Sequence, residues 1–418
     1  STLLNGFCLR KLVKGGGGYM FAVCVFEWIY LTLLLRESMI GSIVMKLNDF
    51  GNRSGCRLPP VNIGAMRLPR DLDDAVKVVR HAIDSGMRYI DVSRGYGEAE
   101  WALSRALQDG YREKVFLSTK WSPWILKVRP DDCISANCER RRMEESMKRL
   151  GVNHLDFYQL WNINSRERWD KATAPGGMLE TMINARDDGL VDHLGFTTHD
   201  SVENVLDYIE EADWCESILF SYNILDMTYA PAIEAACKKG IGVQVMNPVG
   251  GGKLAEESPV LMKIAEKVGA VSPADLSIRY VLSNPHVDFI LSGISRISDI
   301  DDTIASAERP RFTGKEIAEI EEFARSVNPD NTGYCTGCGY CAPCPEGIDI
   351  PKIMNCVYLY RILGLRKSAM RIYGRINGPG AEACTACGHC RTKCTQKIDI
   401  PAEMKWARKT FSMLKKEK

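Results

Sequence analysis

Between about residue 61 and residue 310, short β-branched runs alternate eight times with amphipathic stretches, and this alternation limits the fold more than any other feature. The strand-like runs are Val61–Met66, Tyr89–Ser93, Val115–Lys120, Leu155–Trp161, Asp192–Thr198, Ile218–Asn223, Gly242–Asn247 and Val287–Gly293. Helical stretches lie between them, among them Leu72–Ser85, Asp132–Leu150, Ser201–Glu211 and Pro231–Lys239. Within Cys138–Leu150, Met143, Met147 and Leu150 share one helical face, while Arg140–Arg142 and Lys148 cover the rest. The strands are short and mostly apolar, as parallel strands covered on both faces must be. Eight such repeats in about 250 residues predict an α/β fold, a (β/α)8 TIM barrel. A doubly wound open sheet competes with it, but no G-x-G-x-x-G follows the first strand.

A barrel of this kind carries its chemistry at strand C-terminal ends and in the loops that follow. Asp91 ends the second strand, Tyr96 lies in the loop after it, and Lys120 ends the third. The loops after strands seven and eight are the favoured phosphate sites. They read Pro248-Val249-Gly250-Gly251-Gly252-Lys253 and Ser292-Gly293-Ile294-Ser295-Arg296. Glycine allows close backbone approach, and Lys253 and Arg296 would neutralise phosphate charge. Either loop alone is a weak signal, since GGG is more often just a flexible turn; together, at these barrel positions, they point to a phosphate-bearing cofactor.

Of the 16 cysteines, eight fall in two compressed runs. Cys335, Cys338, Cys341 and Cys344 precede Pro345; Cys384, Cys387, Cys390 and Cys394 follow later. Two-residue gaps let neighbouring thiolates converge on one inorganic core, and four thiolates is the count that a [4Fe–4S] cluster takes. Both runs continue into matching words, Gly347-Ile348-Asp349-Ile350-Pro351 and Lys397-Ile398-Asp399-Ile400-Pro401, an internal repeat. Two [4Fe–4S] clusters on eight cysteine ligands, serving electron transfer, are expected; a pair of zinc sites is the alternative. In such duplicated modules the last cysteine of one run commonly serves the other cluster. Ile353 to Ile376 has a helical pattern, so residues 334–418 read as a small α-helical dicluster ferredoxin-like domain. The turn-rich stretch 326–333 reads as its linker to the barrel, 45–325. The scattered Cys8, Cys24, Cys56, Cys133, Cys138, Cys215, Cys237 and Cys356 are expected to be reduced thiols. A reducing cytoplasm in an organism living with little oxygen follows.

The balance of 54 basic against 53 acidic residues leaves no electrostatic footprint for nucleic acid. Basic residues gather at Arg361–Arg375 and Lys415–Lys418, read as solvated faces or as a docking patch for an acidic electron carrier. Residues 1–44 form an atypical extension. Its apolar run Tyr19–Leu35 is interrupted by Glu27, which is costly at the centre of a bilayer. It reads either as upstream sequence outside the functional protein, with the start at Met45, or as a membrane or partner-binding helix.

The segment Gly86-Met87-Arg88-Tyr89-Ile90-Asp91-Val92-Ser93-Arg94-Gly95-Tyr96-Gly97-Glu98-Ala99-Glu100 resembles the second-strand motif of the aldo-keto reductases. Val115-Phe116-Leu117-Ser118-Thr119-Lys120 is similar to their third-strand lysine motif. Glu144–Leu150 and Leu155–Leu160 are similar to the helix and strand that follow. The resemblance runs from about Met45 to Pro310, and the tail resembles the subgroup with a C-terminal two-cluster ferredoxin-type domain. It implies hydride transfer between NADPH or NADH and a small-molecule carbonyl. Tyr96 would be the general acid, Lys120 would lower its pKa, and Asp91 would hold Lys120 in place.

The resemblance breaks at the fourth strand, where Trp161 stands in place of the family histidine. Indole offers one donor and does not titrate. For the nicotinamide, Thr197 and Thr198, followed by His199, stand where the family has a Ser-Asn pair, and Leu219 stands for its glutamine. Tyr222 offers a stacking face, and Gly251, Lys253, Ser292, Gly293, Ser295 and Arg296 a phosphate cradle. His199 reads as structural or cofactor-adjacent. Arg296 favours NADPH, whereas Asp299, Asp301 and Asp302 favour NADH. The expected activity is NAD(P)H-dependent reduction of an organic carbonyl or a conjugated C=C bond, with a ferredoxin, flavoprotein or other redox partner for the clusters. The alternative is a barrel without its original chemistry, kept as an iron–sulfur electron-transfer or assembly subunit.

Overall fold

A computed structural model describes residues 45–125, 135–327 and 335–411. The expectations for residues 1–44, for the helix start at 132–134, for 328–333 of the linker and for Lys415–Lys418 lie outside the described residues. Eight parallel strands close into a barrel: β1 (Val61–Gly64), β2 (Tyr89–Asp91), β3 (Phe116–Trp121), β4 (Leu155–Ile163), β5 (Val191–Thr198), β6 (Ser217–Ser221), β7 (Gly242–Met246) and β8 (Phe289–Gly293). The seam pairs β8 with β1, from Ile290 against Val61 to Gly293 against Gly64. Every expected strand forms, with ends shifted by at most two residues.

Helices pack outside the barrel: α1 (Leu72–Asp84), α2 (Ala99–Ala106), α3 (Ala136–Leu150), α4 (Arg166–Thr173), α5 (Met178–Asp187), α6 (Val202–Glu211), α7 (Ala230–Lys238), α8 (Pro259–Lys267), α9 (Pro273–Leu282), α10 (Ile297–Glu308) and α11 (Gly314–Val327). Local chemistry sets their starts. The Asp71 carboxylate accepts from the amides of Asp73 and Asp74, and Ser201 and Ser272 cap α6 and α9 in the same way. The barrel floor is an aromatic plug. Phe50 packs 4.8 Å from Phe289 and 5.6 Å from Phe157, centroid to centroid. Gly242 is needed beneath it, because a Cβ there would lie 2.5 Å from the Phe50 ring. With the floor sealed, the barrel opens at the rim of strand C-termini.

The tail contributes α12 (Ile350–Arg361), α13 (Arg366–Gly374), α14 (His389–Lys393) and α15 (Ile400–Phe411). The single helical stretch expected over 353–376 is two helices, broken where Gly364 takes a φ of 65°. Ser326 and Val327, expected to open the linker, complete the last turn of α11 instead. The internal repeat has a local cause: Asp349 and Asp399 each accept a hydrogen bond from the amide three residues on, capping α12 and α15. Arg361 joins the two repeats through both Glu403 oxygens at 2.9 Å. The tail packs on the barrel rim, and both lie in one compact unit, Met45–Lys418. Among the described residues no helix is long and apolar enough to cross a membrane. Cys56, Cys215, Cys237 and Cys356 are free thiols as expected, whereas Cys138 is disulfide-bonded, which corrects the reduced-thiol reading there.

In α3, Glu139 is fully buried and accepts a 2.6 Å hydrogen bond from the Tyr158 hydroxyl, while Oε2 has no partner. Burial pushes its carboxyl up to about 8, against the opposing pull of that hydrogen bond. The unfolded chain ionises this group at a lower pH than the folded protein does. Its stabilising contribution is therefore complete below the unfolded carboxylate pKa and is lost as pH rises towards 8. Glu139→Gln keeps the shape without the ionisation. Its unfolding free energy from urea titration should match wild type near pH 5 and exceed it, by an amount on the order of 2–4 kcal/mol, near pH 9. Parallel pH profiles for the two proteins would show that Glu139 does not titrate as described.

Candidate active site at the barrel rim

Two strand ends build the centre of the site. Lys120, inward-facing on β3, donates to Asp91 Oδ1 at 2.5 Å, to Oδ2 at 2.6 Å and to the Val92 carbonyl at 3.0 Å. Gln159 on β4 donates to Asp91 at 3.2 Å and to Ser118 at 2.7 Å. Burial pushes the Asp91 carboxyl up and the Lys120 ammonium down, and the attraction between them opposes both shifts. Tyr96 follows β2, with its ring centroid 5.2 Å from Lys120 Nζ. Its hydroxyl has no hydrogen-bond partner among the described residues.

The sequence reading had Lys120 lowering the Tyr96 pKa. The structure reverses that direction: burial first, then Asp91, Tyr340 and Cys338, push the phenol well above its ordinary value. Burial is the main cause, and the Asp91 carboxylate of the bidentate pair adds to it. Tyr96 is therefore a neutral donor across the physiological range.

A local irregularity aims Trp161. Pairing of β4 with β5 slips between Leu160 and Ile163, and Asn162 takes a left-handed φ of 66°. The Asn162 amide donates to Thr197 Oγ1 at 2.9 Å. Trp161 meets Tyr96 edge-on at 5.8 Å and Tyr340, from the tail, at 6.2 Å.

These groups open on a cavity of about 880 Å³, within the range of small-molecule and cofactor sites. Of the residues singled out from sequence, it gathers Asp91, Tyr96, Lys120, Trp161, Thr197, Gly251, Ser292, Gly293, Ser295 and Arg296. Thr198, Tyr222 and Lys253 are not on its wall. The Thr198 hydroxyl donates to the Ile163 carbonyl at 2.9 Å. Tyr222 is buried, stacked on Tyr280 and bonded to its hydroxyl at 3.2 Å, so its ring is not a free stacking face. Lys253 is buried over the Tyr358 ring at 4.9 Å, with no hydrogen-bond partner for Nζ. At the outer end Arg296 is held by Asp299 at 2.7 Å, and Asp302, Glu256 and Glu257 add negative charge. Asp301 turns away to His81 at 2.8 Å. His199 lines the wall, and burial depresses its imidazole to about 4, which leaves it neutral.

Sequence reasoning missed the tail's share of this wall: Thr336, Cys338, Tyr340 and Thr395. No spacing signal in the chain marks them as active-site residues. Arg67 was missed too; its guanidinium donates to the Thr336 carbonyl at 2.9 Å, tying rim to tail.

The eight clustered cysteines sort into two groups around two small cavities. Cys335, Cys338, Cys341 and Cys394 line one; Cys344, Cys384, Cys387 and Cys390 line the other, which Cys341 also borders. All eight are free. Burial and neighbouring sulfurs push Cys341 up to about 12 and Cys394 up to about 11. Four thiolates this close are stable together only around a shared cationic core, so the donor set fits a four-thiolate metal cluster.

The aldo/keto reductase family model matches residues 60–325, and the chain belongs to that family. It is an oxidoreductase of the aldo-keto reductase type. The chain is similar to the 6-dehydroglucose reductase of Novosphingobium aromaticivorans, 29% identical over 53% of this chain and 75% of the relative. It is also similar to the L-galactose dehydrogenase of Arabidopsis thaliana, 24% identical over 68% of this chain and 95% of the relative. The fold is that of the aldo-keto reductase AKR11C1 from Bacillus halodurans in its holo form, with a TM-score of 0.57 and 20% identity, covering 67% of this chain and 96% of that one.

Removing one partner of a buried ion pair strands the other, at a cost of roughly 3–5 kcal/mol. Asp91→Asn should lower the denaturation free energy by about that much, and Asp91→Asn with Lys120→Met should recover part of it. Equal stability of the single and double variants would show that the pair is not coupled.

Proposed function

We propose that the protein reduces an organic carbonyl, or a C=C bond conjugated to one, with NADH or NADPH, and that it carries two [4Fe–4S] clusters. The observation that carries this reading is the single cavity wall shared by the Tyr96–Lys120–Asp91 group and by Cys338. A bound nicotinamide would supply hydride. Tyr96 gives its proton to the substrate oxygen, and its depressed acidity keeps it charged with that proton until the oxygen gains electron density. Asp91 and Lys120 hold the phenol in register and present little net charge. The indole of Trp161 occupies part of the cavity wall and cannot relay a proton. Thr197, Ser292, Ser295 and Arg296 are the candidates to hold the cofactor; the Asp299 ion pair and Asp302 weigh towards NADH.

For the clusters, Cys335, Cys338, Cys341 and Cys394 would form one ligand set, and Cys344, Cys384, Cys387 and Cys390 the other, within a ferredoxin-like domain over 334–418. They would supply one-electron exchange, so coupling to hydride calls for a flavin or an external ferredoxin or flavoprotein partner. A reducing, cytoplasmic and oxygen-poor setting suits such a centre. The second reading, an electron-transfer subunit without carbonyl chemistry, is favoured by Trp161 and Leu219. The retained buried pair and the open Tyr96 hydroxyl weigh against it.

Protein purified without oxygen should contain about eight irons per chain, and NADH or NADPH should produce reduced-cluster signals in electron paramagnetic resonance. Full iron with silent clusters would leave a reductase uncoupled from them. No quench of tryptophan fluorescence by either nicotinamide would favour the subunit reading. Cys341→Ser should lose iron, and full iron in that variant would remove Cys341 from the ligand set. Trp161→His should raise turnover of simple aldehydes by about 10-fold or more; unchanged turnover would clear Trp161 of narrowing the specificity.

A further inference from the structure

We propose that Tyr340, from the cysteine-bearing tail, is a catalytic residue: its hydroxyl donates the second hydrogen bond to the substrate oxygen, beside Tyr96. This inference rests on the carbonyl-reduction reading above. Polarising a carbonyl in a site that excludes water is most effective with two donors aimed at the developing oxyanion. In this barrel Tyr96 is one donor, and the β4 position that would hold a neutral imidazole carries Trp161 instead.

Three independent observations place Tyr340 in the vacated role. Its ring packs edge-on against Trp161 at 6.2 Å and 69°, as the Tyr96 ring does at 5.8 Å and 84°, so both phenols touch one indole. Tyr340 lines the same cavity as Asp91, Tyr96 and Lys120. Its hydroxyl has no hydrogen-bond partner among the described residues. A phenol donor on a cavity wall with no protein partner can bond a ligand's acceptor oxygen without first breaking a hydrogen bond within the protein. A residue serving only to pack on Trp161 would be served as well by phenylalanine.

The position of Tyr340 has a consequence for the clusters. It lies between Cys338 and Cys341, both in the first sulfur group. Whatever holds those two sulfurs also holds the phenol over Trp161, so the tail completes the active site of the barrel.

The test uses the full chain purified without oxygen, with benzaldehyde as the probe carbonyl and NADH or NADPH as reductant. Tyr340→Phe keeps the ring and removes the donor. We expect unchanged iron content and nicotinamide affinity, a kcat for benzaldehyde reduction lower by about 10- to 100-fold, and partial recovery in Tyr340→His. Isotope-edited infrared spectra of bound, carbonyl-labelled benzaldehyde give a readout independent of turnover. The carbonyl stretch should lie lower in wild type than in Tyr340→Phe. A wild type that binds benzaldehyde with this difference but does not reduce it would sink the carbonyl-reduction reading and leave the Tyr340 contact standing. A Tyr340→Phe protein with wild-type kcat and an unshifted band would overturn the Tyr340 assignment alone. Loss of iron from Tyr340→Phe would make the residue structural and overturn it as well.

Discussion

Four residue pairs between β8 and β1 turn a row of strands into a barrel, and the rest of the molecule is arranged around that closure. A closed parallel sheet has no edge to protect and brings all eight strand C-termini to one rim. Phe50 and its aromatic neighbours seal the opposite end, so polar side chains needed for chemistry have a single place to gather. Asp91, Lys120, Trp161 and Thr197 come from four different strands and reach one cavity because closure leaves them at the same height.

Burial then decides how those groups behave. Alone, a lysine this deep would shed its proton and an aspartate would take one up. Held within hydrogen-bonding distance, each opposes the other's burial-driven shift, and their opposite charges offset one another beside Tyr96. The phenol accordingly feels its own desolvation and the nearby negative groups more than it feels Lys120. A site that looks from its composition like an activated tyrosine is thus a site with a firmly neutral one. Its donor strength comes from its place on the cavity wall beside the Asp91–Lys120 pair.

The tail supplies the other wall. A Cβ on Gly251 would lie 2.5 Å from the Thr336 carbonyl, so this glycine allows the tail's backbone to approach. Lys253 lies over Tyr358 of α12, and Lys397 of the tail reaches Asp200 after β5 at 3.7 Å. A loop that reads as a phosphate cradle is, in part, the joint between barrel and tail. Both roles ask for the same residues, because close backbone approach and a nearby cation suit a carbonyl as well as a phosphate oxygen.

How much was legible follows from which forces act locally. Hydrophobic period, turn residues and caps are properties of neighbours in the chain, so the eight strands, their approximate ends and the capped repeats at Asp349 and Asp399 could be read directly. Asp91, Tyr96 and Lys120 were legible because strand ends in a barrel are a topological address. The misplacements of Tyr222 and Lys253, the direction of the Tyr96 shift and the presence of Tyr340 and Cys338 at the cavity were not. Each depends on which surfaces meet across long stretches of chain, where burial and charge act through space. Sequence alone determined the barrel, its rim chemistry and the eight clustered thiols. Only the tertiary structure decided that those thiols sort across the repeats and that one of them, Cys338, reaches the wall of the rim cavity, because contact between distant segments leaves no periodic trace in the chain.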